Sequence, residues 1–442
     1  MNKNIAEFAS KLNYQDLPEP VIAIIKYSFI DAIACALFGS TKLWSEMARD
    51  VVASEIQKGT CFFPSFPKGG LPPSSAAFLL GSYCHAFELD NLRFPGAGVH
   101  PGAVIMCPLV ALAREYGLSG RKLIASAVVG VEALSRLGLA TKHSLENRGF
   151  HAPGVIGPVG GAIACAAALG ANSSQIMNAS GIAASMSAGL LAFAKSDGGG
   201  MIKRLHLGRS AEASVRAATL AVRGFEGPDT AVDGQFGLLE AFCPEFNKVA
   251  LTEELGSRWE SLSICFKTFP AHITAHAPLM ATLELLKTHK LLISDIAKIT
   301  VYASKKVVSH HNIKQPHDIM QAQYSVPFCV AAGLVVDLSD PENFNSDLLQ
   351  NPVLQAILQK IEVCEHVGRV EHSWHARVRI FMQDGQEVEN DAAQFRGLPT
   401  MPMSDEDISR KFQLLTKGVT TPDRLLSDLM EMEKSEFLPP LV

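Results

Sequence analysis

The sequence predicts a mainly α fold in which a large all-helical domain is combined with a smaller α+β domain. From Ile5 to about Trp259, apolar residues recur at three- and four-residue spacing between Gly and Pro breaks, as in amphipathic helices. Strand-like alternation begins only in the C-terminal part. The 442 residues also exceed one domain, at the usual ~100 to 200 residues per domain. We expect residues 1–265 and 400–442 to form the helical domain and residues 266–399 the α+β domain.

The predicted helices of the first domain are apolar runs bounded by Gly and Pro. Pro18 and Pro20 precede the first long run, and a Gly/Pro-rich loop at residues 68–73 precedes the second. The runs are Val21 to Leu37, Ser74 to Phe87, Ala103 to Tyr116, Gly120 to Leu137 and Val155 to Leu169, with a last one at Ile408 to Leu415.

One stretch has the length of a membrane span. Ala152 to Ala171 carries no charged residue over about 20 residues, the length that a bilayer requires. It consists mainly of Gly, Ala and Pro, whose transfer into a bilayer is only weakly favoured. We therefore expect a buried helix, in which Gly157, Gly161 and Cys165 let a neighbouring backbone approach closely.

Alternating patterns indicate strands in the second domain. Ile296 to Ala303 alternates apolar and polar residues, and so does Ala376 to Met382, which ends at the hairpin signal Asp384-Gly385. Helical patterns over residues 320–336 and 352–363 complete the α+β character.

Composition and charge restrict the possible functions. Hydrophobic residues make up 48% of the chain and charged residues 19%, which predicts a globular fold rather than disorder. A net charge of −5 and the absence of a dense Lys/Arg block argue against nucleic acid as a partner. Nine cysteines lie singly, and the N-terminus has no secretory signal. We expect buried thiols in a reducing, cytoplasmic compartment, without membrane association.

Four segments place titratable residues among Gly, Pro and aromatic residues, a setting typical of catalytic loops. The first surrounds a Gly-rich turn with two histidines, two carboxylates and an arginine: His85, Glu88, Asp90, Arg93 and His100. These groups could supply a general acid, a base and an anion contact. The alternative is a helix C-terminus with ordinary capping side chains.

The second and third segments flank the uncharged helix. His151 stands at its predicted N-terminus, where the helix dipole favours the neutral imidazole, which can accept a proton near pH 7. The other segment has three glycines before Lys203 and Arg204, and paired cations beside permissive backbone can cradle carboxylates. Neither nucleotide-binding glycine pattern is satisfied. The alternatives are a core or capping histidine and a solvated charged turn.

The fourth segment contains Lys267, His272 and His276. The two histidines are four residues apart, as in zinc sites on helices, but the glutamate of such motifs is absent and no cysteine pair completes the site. Proton transfer or carboxylate binding is therefore favoured over a metal. By contrast, four other histidines of the second domain are expected to be solvated surface residues: His310, His311, His372 and His375.

These segments, in this order, resemble the MmgE/PrpD family, which includes 2-methylcitrate dehydratase, cis-aconitate decarboxylase and iminodisuccinate epimerase. The resemblance is carried by His85 to Pro101, Phe150-His151 with the Gly/Ala helix, Lys203-Arg204-Leu205-His206-x-Gly208, Lys267-x-Phe269-Pro270 with His276, and Ala322 to Pro327. It spans nearly the whole chain. It implies a large helical domain with a smaller α+β lid domain, a homodimer, and an active site in the cleft between them, without an obligatory metal or other cofactor.

Residue by residue, the resemblance implies an active site made of Asp90, His100, His151, Lys203, Lys267 and His272. The expected proton-transfer groups are His100, His151, Lys267 and His272, with Asp90 orienting a histidine. The expected substrate contacts are Lys203, Arg204, Arg93, Glu88 and His276.

The chain departs from the family at one motif. Family lyases typically show Asp-Phe-Asp-Asp-Thr where this sequence reads Glu88-Leu89-Asp90-Asn91-Leu92, which alters hydrogen bonding and proton inventory at the reacting centre. Proton abstraction beside a carboxylate needs only nearby cations and a suitable base. We therefore predict epimerisation of an imino or amino dicarboxylate such as iminodisuccinate. The alternatives are dehydration or decarboxylation of a citrate-like tricarboxylate, and a catalytically silent binding or scaffold protein.

Overall fold

The computed structural model describes residues 2–55, 58–196, 198–366, 374–439 and 441. These residues form two compact units. The first consists of Met1–Ala86, Asp90–Cys265 and Asp405–Val442, and the second of Phe87–Leu89 and Phe266–Ser404. The fold is 57% helical with small sheets, which confirms the predicted mainly α class.

The first unit is built from helices. In chain order they are α1 (Asn2–Lys11), α2 (Glu19–Gly39), α3 (Leu43–Glu55), α4 (Pro73–Cys84), α5 (Cys107–Tyr116), α6 (Gly120–Ala140), α7 (Ser144–Asn147), α8 (Ala152–Ala168), α9 (Ser173–Ala184), α10 (Ile202–Val222) and α11 (Leu238–Phe242). Two short strands, β1 (Leu92–Arg93) and β2 (Ile264–Cys265), pair antiparallel. The predicted helix at 103–116 begins as a π-helix over Gly102–Met106, a form that is frequent beside functional sites.

Helix α8 lies at the centre of this unit, packed against α6, α9 and α10. All its residues are buried, which confirms the buried helix expected for the uncharged stretch. A Cβ added at Gly160 would lie 2.6 Å from the Leu134 Cβ, and one at Gly161 would lie 2.1 Å from the Ser214 Oγ. The glycines therefore allow α6 and α10 to approach at distances that other residues would block.

Two other helices are long and apolar enough to cross a membrane. They are α2 and α6, and 78% and 94% of their most apolar windows are buried inside the protein. Burial of this extent is what the core helices of a globular protein show.

The second unit combines helices with a four-stranded sheet. Its helices are α12 (His276–His289), α13 (Lys305–His310), α14 (Ile319–Tyr324), α15 (Val326–Val335), α16 (Ser346–Leu349) and α17 (Pro352–Leu358), and its strands are β3 (Ile296–Ala303), β4 (Ile361–Glu365), β5 (Ala376–Met382) and β6 (Glu387–Ala392). The strand order is β4-β3-β5-β6, with β3 parallel to β4 and the other pairs antiparallel. Helix α12 packs on β5 and β6, and α15 packs on α12 and α17.

The structure confirms both predicted strands and the turn at Asp384-Gly385, where the glycine has φ 92°. It corrects two predicted helices. The run over 320–336 is broken at Ser325, whose Oγ accepts from the Phe328 backbone N–H and caps α15. The run over 352–363 ends at Leu358, and Ile361 and Val363 enter strand β4 because their buried side chains alternate with exposed ones.

The last two helices, α18 (Asp405–Leu415) and α19 (Pro422–Met430), return to the first unit and pack on α2. Lys411 of α18 forms an ion pair with the buried Asp31 of α2. Eight of the nine cysteines are buried and Cys364 is partly exposed, and none forms a disulfide among the described residues. This agrees with the reduced thiols expected from the sequence.

Candidate active site

Asp90 lies between two histidines in the first unit. Its carboxylate accepts from His85 Nδ1 at 2.9 Å and from His100 Nδ1 at 3.0 Å, and the two rings meet edge to face at 4.8 Å between centroids. His85 caps the C-terminus of α4, whereas His100 precedes the π-helix. Asp90 and His85 are fully buried. A loop and two helix ends therefore converge on one carboxylate.

The charge of Asp90 determines which ring nitrogens of this cluster carry protons. Burial would raise the pKa of Asp90, but the two imidazoles and their hydrogen bonds outweigh burial and hold that pKa well below its ordinary value. An ionised carboxylate only accepts hydrogen bonds, so both Nδ1 atoms are donors. Burial, partly offset by Asp90, lowers the pKa of His85 to about 4. Neutral His85 thus keeps a lone pair on Nε2, and this buried atom has no hydrogen-bond partner among the described residues.

His151 caps the N-terminus of α8, and its Nδ1 lies 3.0 Å from His206 Nδ1. Burial, and next the positive charge on Lys203, hold the pKa of His151 well below its usual value, and smaller contributions come from His85 and His100. His151 is therefore neutral at pH 7, and it lies close enough to these groups for their charges to affect its pKa. The structure brings Asp90, His100, His151 and Lys203 together in the first unit.

Helix α10 supplies two cations with different surroundings. The Lys203 side chain is buried, and its charge lowers the pKa of His206 after burial itself. Arg204 donates to the carbonyl oxygens of Ala86 at 3.3 Å and Gly200 at 3.1 Å, and its guanidinium lies 5.1 Å from the Trp44 ring centroid. These contacts join α10 to the end of α4. The substrate-binding role expected for Arg204 stays a prediction.

Arg93 is also bound within the protein. Its Nε donates to Glu260 at 3.0 Å, its Nη2 contacts the same carboxylate oxygen, and its Nη1 donates to the Pro95 carbonyl at 2.8 Å. Glu260 also accepts from Arg258 and lies 3.5 Å from Arg136. A buried network of this kind is strongly destabilised when one partner is removed. Arg93 is thus part of a structural ion-pair network, and the substrate contact expected for it stays a prediction.

In the second unit, Glu88 pairs with Lys267 at 3.1 Å, and both side chains are buried. Glu88 has φ 57°, a left-handed conformation that is uncommon outside glycine. The carboxylate balances the lysine charge and would repel a second carboxylate at the same place. The substrate contact expected for Glu88 stays a prediction.

His272 lies in a stack of rings in the same unit. Its Nδ1 is 2.9 Å from Thr274 Oγ1, and its ring stacks on His311 at 4.1 Å and contacts Tyr324 at 4.9 Å between centroids. Burial lowers the pKa of His311 to about 3. His311 was expected at the surface and is instead buried, because it continues the stack.

The other histidines of the second unit have different environments. His310 is exposed, as expected, and His375 is partly exposed, whereas His372 lies outside the described residues. His276 is fully buried between the rings of Phe269 and Phe395, each 5.4 Å away between centroids. The substrate contact expected for His276 stays a prediction.

A metal could be held at one place within the described part of the chain. The ligand atoms of His85, Asp90 and His100 lie within 4.8 Å of one another, and two imidazoles with a carboxylate suit a divalent transition metal. Here both rings donate to Asp90 directly, which already satisfies the carboxylate.

The low pKa of His85 predicts acid sensitivity. The folded pKa of about 4 lies below the unfolded value of ~6.5. The unfolded chain therefore binds more protons between these values, and stability is lost as pH falls from 6.5 to 4, by up to ~3 kcal/mol. His85→Asn, which keeps a donor toward Asp90, should lose less stability over this range. Urea unfolding midpoints at pH 7, 5.5 and 4.5 test this, and parallel curves for both proteins would contradict it.

Three residues of these clusters were not assigned to the site from the sequence: His206 and Gln323, which lie in the quoted motifs, and His311, which was expected at the surface. His206 follows Lys203 by one helical turn, a spacing that could have indicated it. Gln323 donates to the Phe87 carbonyl at 3.0 Å, and its own carbonyl accepts from the His272 N–H at 2.8 Å. No local sequence pattern indicates such a tertiary contact.

Comparison with known proteins places these residues in a family. The MmgE/PrpD N-terminal domain matches residues 3–249, and the MmgE/PrpD C-terminal domain matches residues 269–432. Curated relatives include the cis-aconitate decarboxylase-like protein oryM of Aspergillus oryzae, 27% identical over 95% of this chain and 91% of the relative. The cis-aconitate decarboxylase of Aspergillus terreus is 27% identical over 99% and 94%, and that of Homo sapiens 25% identical over 100% and 95%. With both family domains matched in order along the chain, this protein belongs to the MmgE/PrpD family.

Proposed function

We propose that the protein is a lyase that removes CO2 from a small unsaturated tricarboxylate of the cis-aconitate type. The observation that carries the proposal is the buried Lys203 beside the neutral His151 and the Asp90-bound His100. Relatives named cis-aconitate decarboxylase that align with 95% or more of the chain support it. They favour the decarboxylase alternative over the epimerase that we predicted first, which has no support among them.

The reaction requires a cation and a proton donor. When the C–CO2 bond breaks, its electron pair moves through the neighbouring double bond to the carbon beside a second carboxylate, and a proton must be added there. The Lys203 ammonium is suited to stabilise the charge that develops on that carboxylate. Neutral His151 can donate a hydrogen bond to it without adding another charge.

His100 is our candidate for the proton donor. His100 donates its Nδ1–H to Asp90, so the proton given to the substrate carbon must come from a protonated Nε2, which water reprotonates after the reaction. His85 has the same relation to Asp90 but is more deeply buried, so we assign it a positioning role. The departure from the family motif leaves this carboxylate unchanged, since Asp90 is retained.

Other expectations are kept as part of the proposal. We propose that Lys267 and His272 also take part in catalysis, and that residues 1–265 with 400–442 and residues 266–399 fold as separate domains. A homodimer in the cytoplasm is proposed on the family resemblance and on the reduced cysteines.

Incubation with cis-aconitate in deuterated water tests the function. We expect one CO2 per substrate consumed and an unsaturated dicarboxylate carrying one deuterium on carbon, by mass spectrometry and NMR. His100→Gln should abolish turnover, whereas replacement of the exposed His310 should not. Gain or loss of water without CO2 would indicate a hydratase or dehydratase instead. Deuterium exchange into a chiral imino dicarboxylate, without release of CO2, would instead support the epimerase function.

A further inference from the structure

A cavity of about 380 Å³ lies in the first unit, at the end of α8 that is farther from His151. It is formed by residues 9–15, by the first turns of α6 and by the residues that end α8. Helix α8 has 17 residues, so at ~1.5 Å per residue it separates the cavity from His151 by about 25 Å. None of the described residues that line the cavity is one that we assign to the reaction.

Two cations line this cavity without a carboxylate beside them. They are Arg121 and Lys122, and no aspartate or glutamate is among the described lining residues. The Arg121 guanidinium lies 5.3 Å from the centroid of the Tyr14 ring, which also lines the cavity. Lys122 is exposed as a residue, yet the protein around its ammonium lowers its pKa by burial, and no described carboxylate offsets this. A bound anion would supply the missing negative charge.

Ser126 is a buried hydroxyl in the cavity wall. It is 2% exposed and follows Lys122 by one turn, on the same face of α6. Ser210 and Ser214, which are buried in the same unit, each donate to a carbonyl one turn back in their helix. The Ser126 hydroxyl forms no hydrogen bond with any other described residue. A ligand oxygen that accepts from it would therefore satisfy a donor that the protein leaves without a partner.

Tyr14 and the end of α8 complete the surroundings of the cavity. Burial raises the pKa of Tyr14, and Glu433 and Glu19 raise it further, so the phenol is protonated near pH 7 and can donate a hydrogen bond. Glu433 itself pairs with Lys26 at 2.8 Å. The N–H groups of residues 169–171 donate to the carbonyls of residues 165–167 at 3.0–3.1 Å, so the last turn of α8 already binds these acceptors. The cavity thus offers cations and donors to a ligand.

We propose that this cavity binds a small organic phosphate, at a site separate from the candidate active site. A guanidinium and an ammonium suit phosphate oxygens, and Ser126 and Tyr14 add two hydroxyl donors. The volume lies within the ~300–1,000 Å³ of small-molecule sites. It leaves room for a polar organic part beside the amide of Gln15. The inference does not depend on the proposed lyase reaction.

Calorimetry at low ionic strength, where exposed charges are least screened, tests the site with glycerol 3-phosphate, inorganic phosphate and glycerol. We expect one glycerol 3-phosphate per chain, weaker binding of inorganic phosphate and no binding of glycerol. Arg121→Gln and Lys122→Gln should each weaken the binding of glycerol 3-phosphate about 10- to 100-fold, the usual effect of losing a hydrogen bond to a charged group, and Ser126→Ala about tenfold. Lys305→Gln is the matched control, because it removes an exposed lysine at the start of α13, outside the cavity.

A further variant separates this site from the candidate active site. Lys203→Met should bind glycerol 3-phosphate as the wild type does, and loss of binding would place the phosphate at the active site and overturn the inference. Binding that both Arg121→Gln and Lys122→Gln retain also overturns it, and so does an affinity for inorganic phosphate equal to that for glycerol 3-phosphate. If Lys122→Gln weakens the binding of tricarballylate as strongly as that of glycerol 3-phosphate, the cavity is a polycarboxylate site and the phosphate assignment is wrong.

Discussion

Replacing Lys203 with methionine is expected to lower kcat for decarboxylation by about 10²- to 10³-fold, the usual effect of removing one group that stabilises charge in the transition state. Methionine has a similar length and suits a buried position, so the fold should be kept. Because Lys203 faces charge that develops mainly during the reaction, kcat should fall more than KM rises. Initial rates of CO2 release, with circular dichroism to check folding, measure this.

The same variant should change the histidines. Burial lowers the pKa of His151, His85 and His206 most, and the charge on Lys203 lowers all three further, so its removal should raise each pKa by part of its shift. Ring-carbon NMR of 13C-labelled histidine, with His151 identified from His151→Gln, follows the titration directly. Lys195→Met removes an exposed charge eight residues earlier in the chain and should leave both kcat and the titration unaltered. Wild-type rates in Lys203→Met would exclude Lys203 from the reaction.

Local patterns were sufficient for most of the fold. Helices α2, α6 and α8 and strands β3 and β5 were predictable, because burial of one face imposes a period of 3.6 or 2 on the residues themselves. The end of α17 was missed. Over a few residues a buried strand such as β4 and the last turn of a helix show similar apolar patterns, and the pairing with β3 decides between them.

The sequence was sufficient to predict which residues form the candidate site. It was less informative about the protein groups that these residues contact. Asp90 and His100 lie ten residues apart, so one loop brings them together. Arg93 and Glu260 are separated by 167 residues, and Glu88 and Lys267 by 179. A sequence shows that Arg93 and Glu88 are charged, but it does not reveal a partner that only tertiary packing supplies. The sequence therefore could not indicate the protein groups that bind both side chains.

Asn91, the amide where family lyases have an aspartate, has a definite place in the structure. Its Nδ2 donates to Asp31 Oδ2 at 3.0 Å, and its Oδ1 accepts from the Gly102 N–H at 2.9 Å. The Asn91 backbone N–H also donates to Asp31, at 2.9 Å. One buried amide thus holds both ends of the loop that carries Asp90 and His100. Lys411 balances the single charge on Asp31.

Asn91→Asp is expected to lower kcat/KM by about 10²-fold at pH 8, because it places a second buried carboxylate about one hydrogen bond from Asp31 and displaces the loop. Two such carboxylates can share one proton, which raises the pKa of the pair. Burial already raises the pKa of Asp31. The variant should therefore recover relative to wild type as pH falls toward 6, in a profile of the kcat/KM ratio. A ratio independent of pH would contradict like-charge repulsion as the cause.

Exchanging the two side chains separates charge from shape. In the double variant Asp31→Asn with Asn91→Asp, one carboxylate and one amide are again paired, and the carboxylate at position 91 can still accept from the Gly102 N–H. The amide at position 31 cannot accept from the backbone N–H of position 91 while its NH2 group faces the new carboxylate, so recovery should be incomplete, about tenfold over the single variant. Asp31→Asn alone removes the carboxylate that pairs with Lys411 and should destabilise the fold. Each of the two changes is harmful by itself. A higher kcat/KM in the double variant than in Asn91→Asp is expected only if residues 31 and 91 interact through complementary charge.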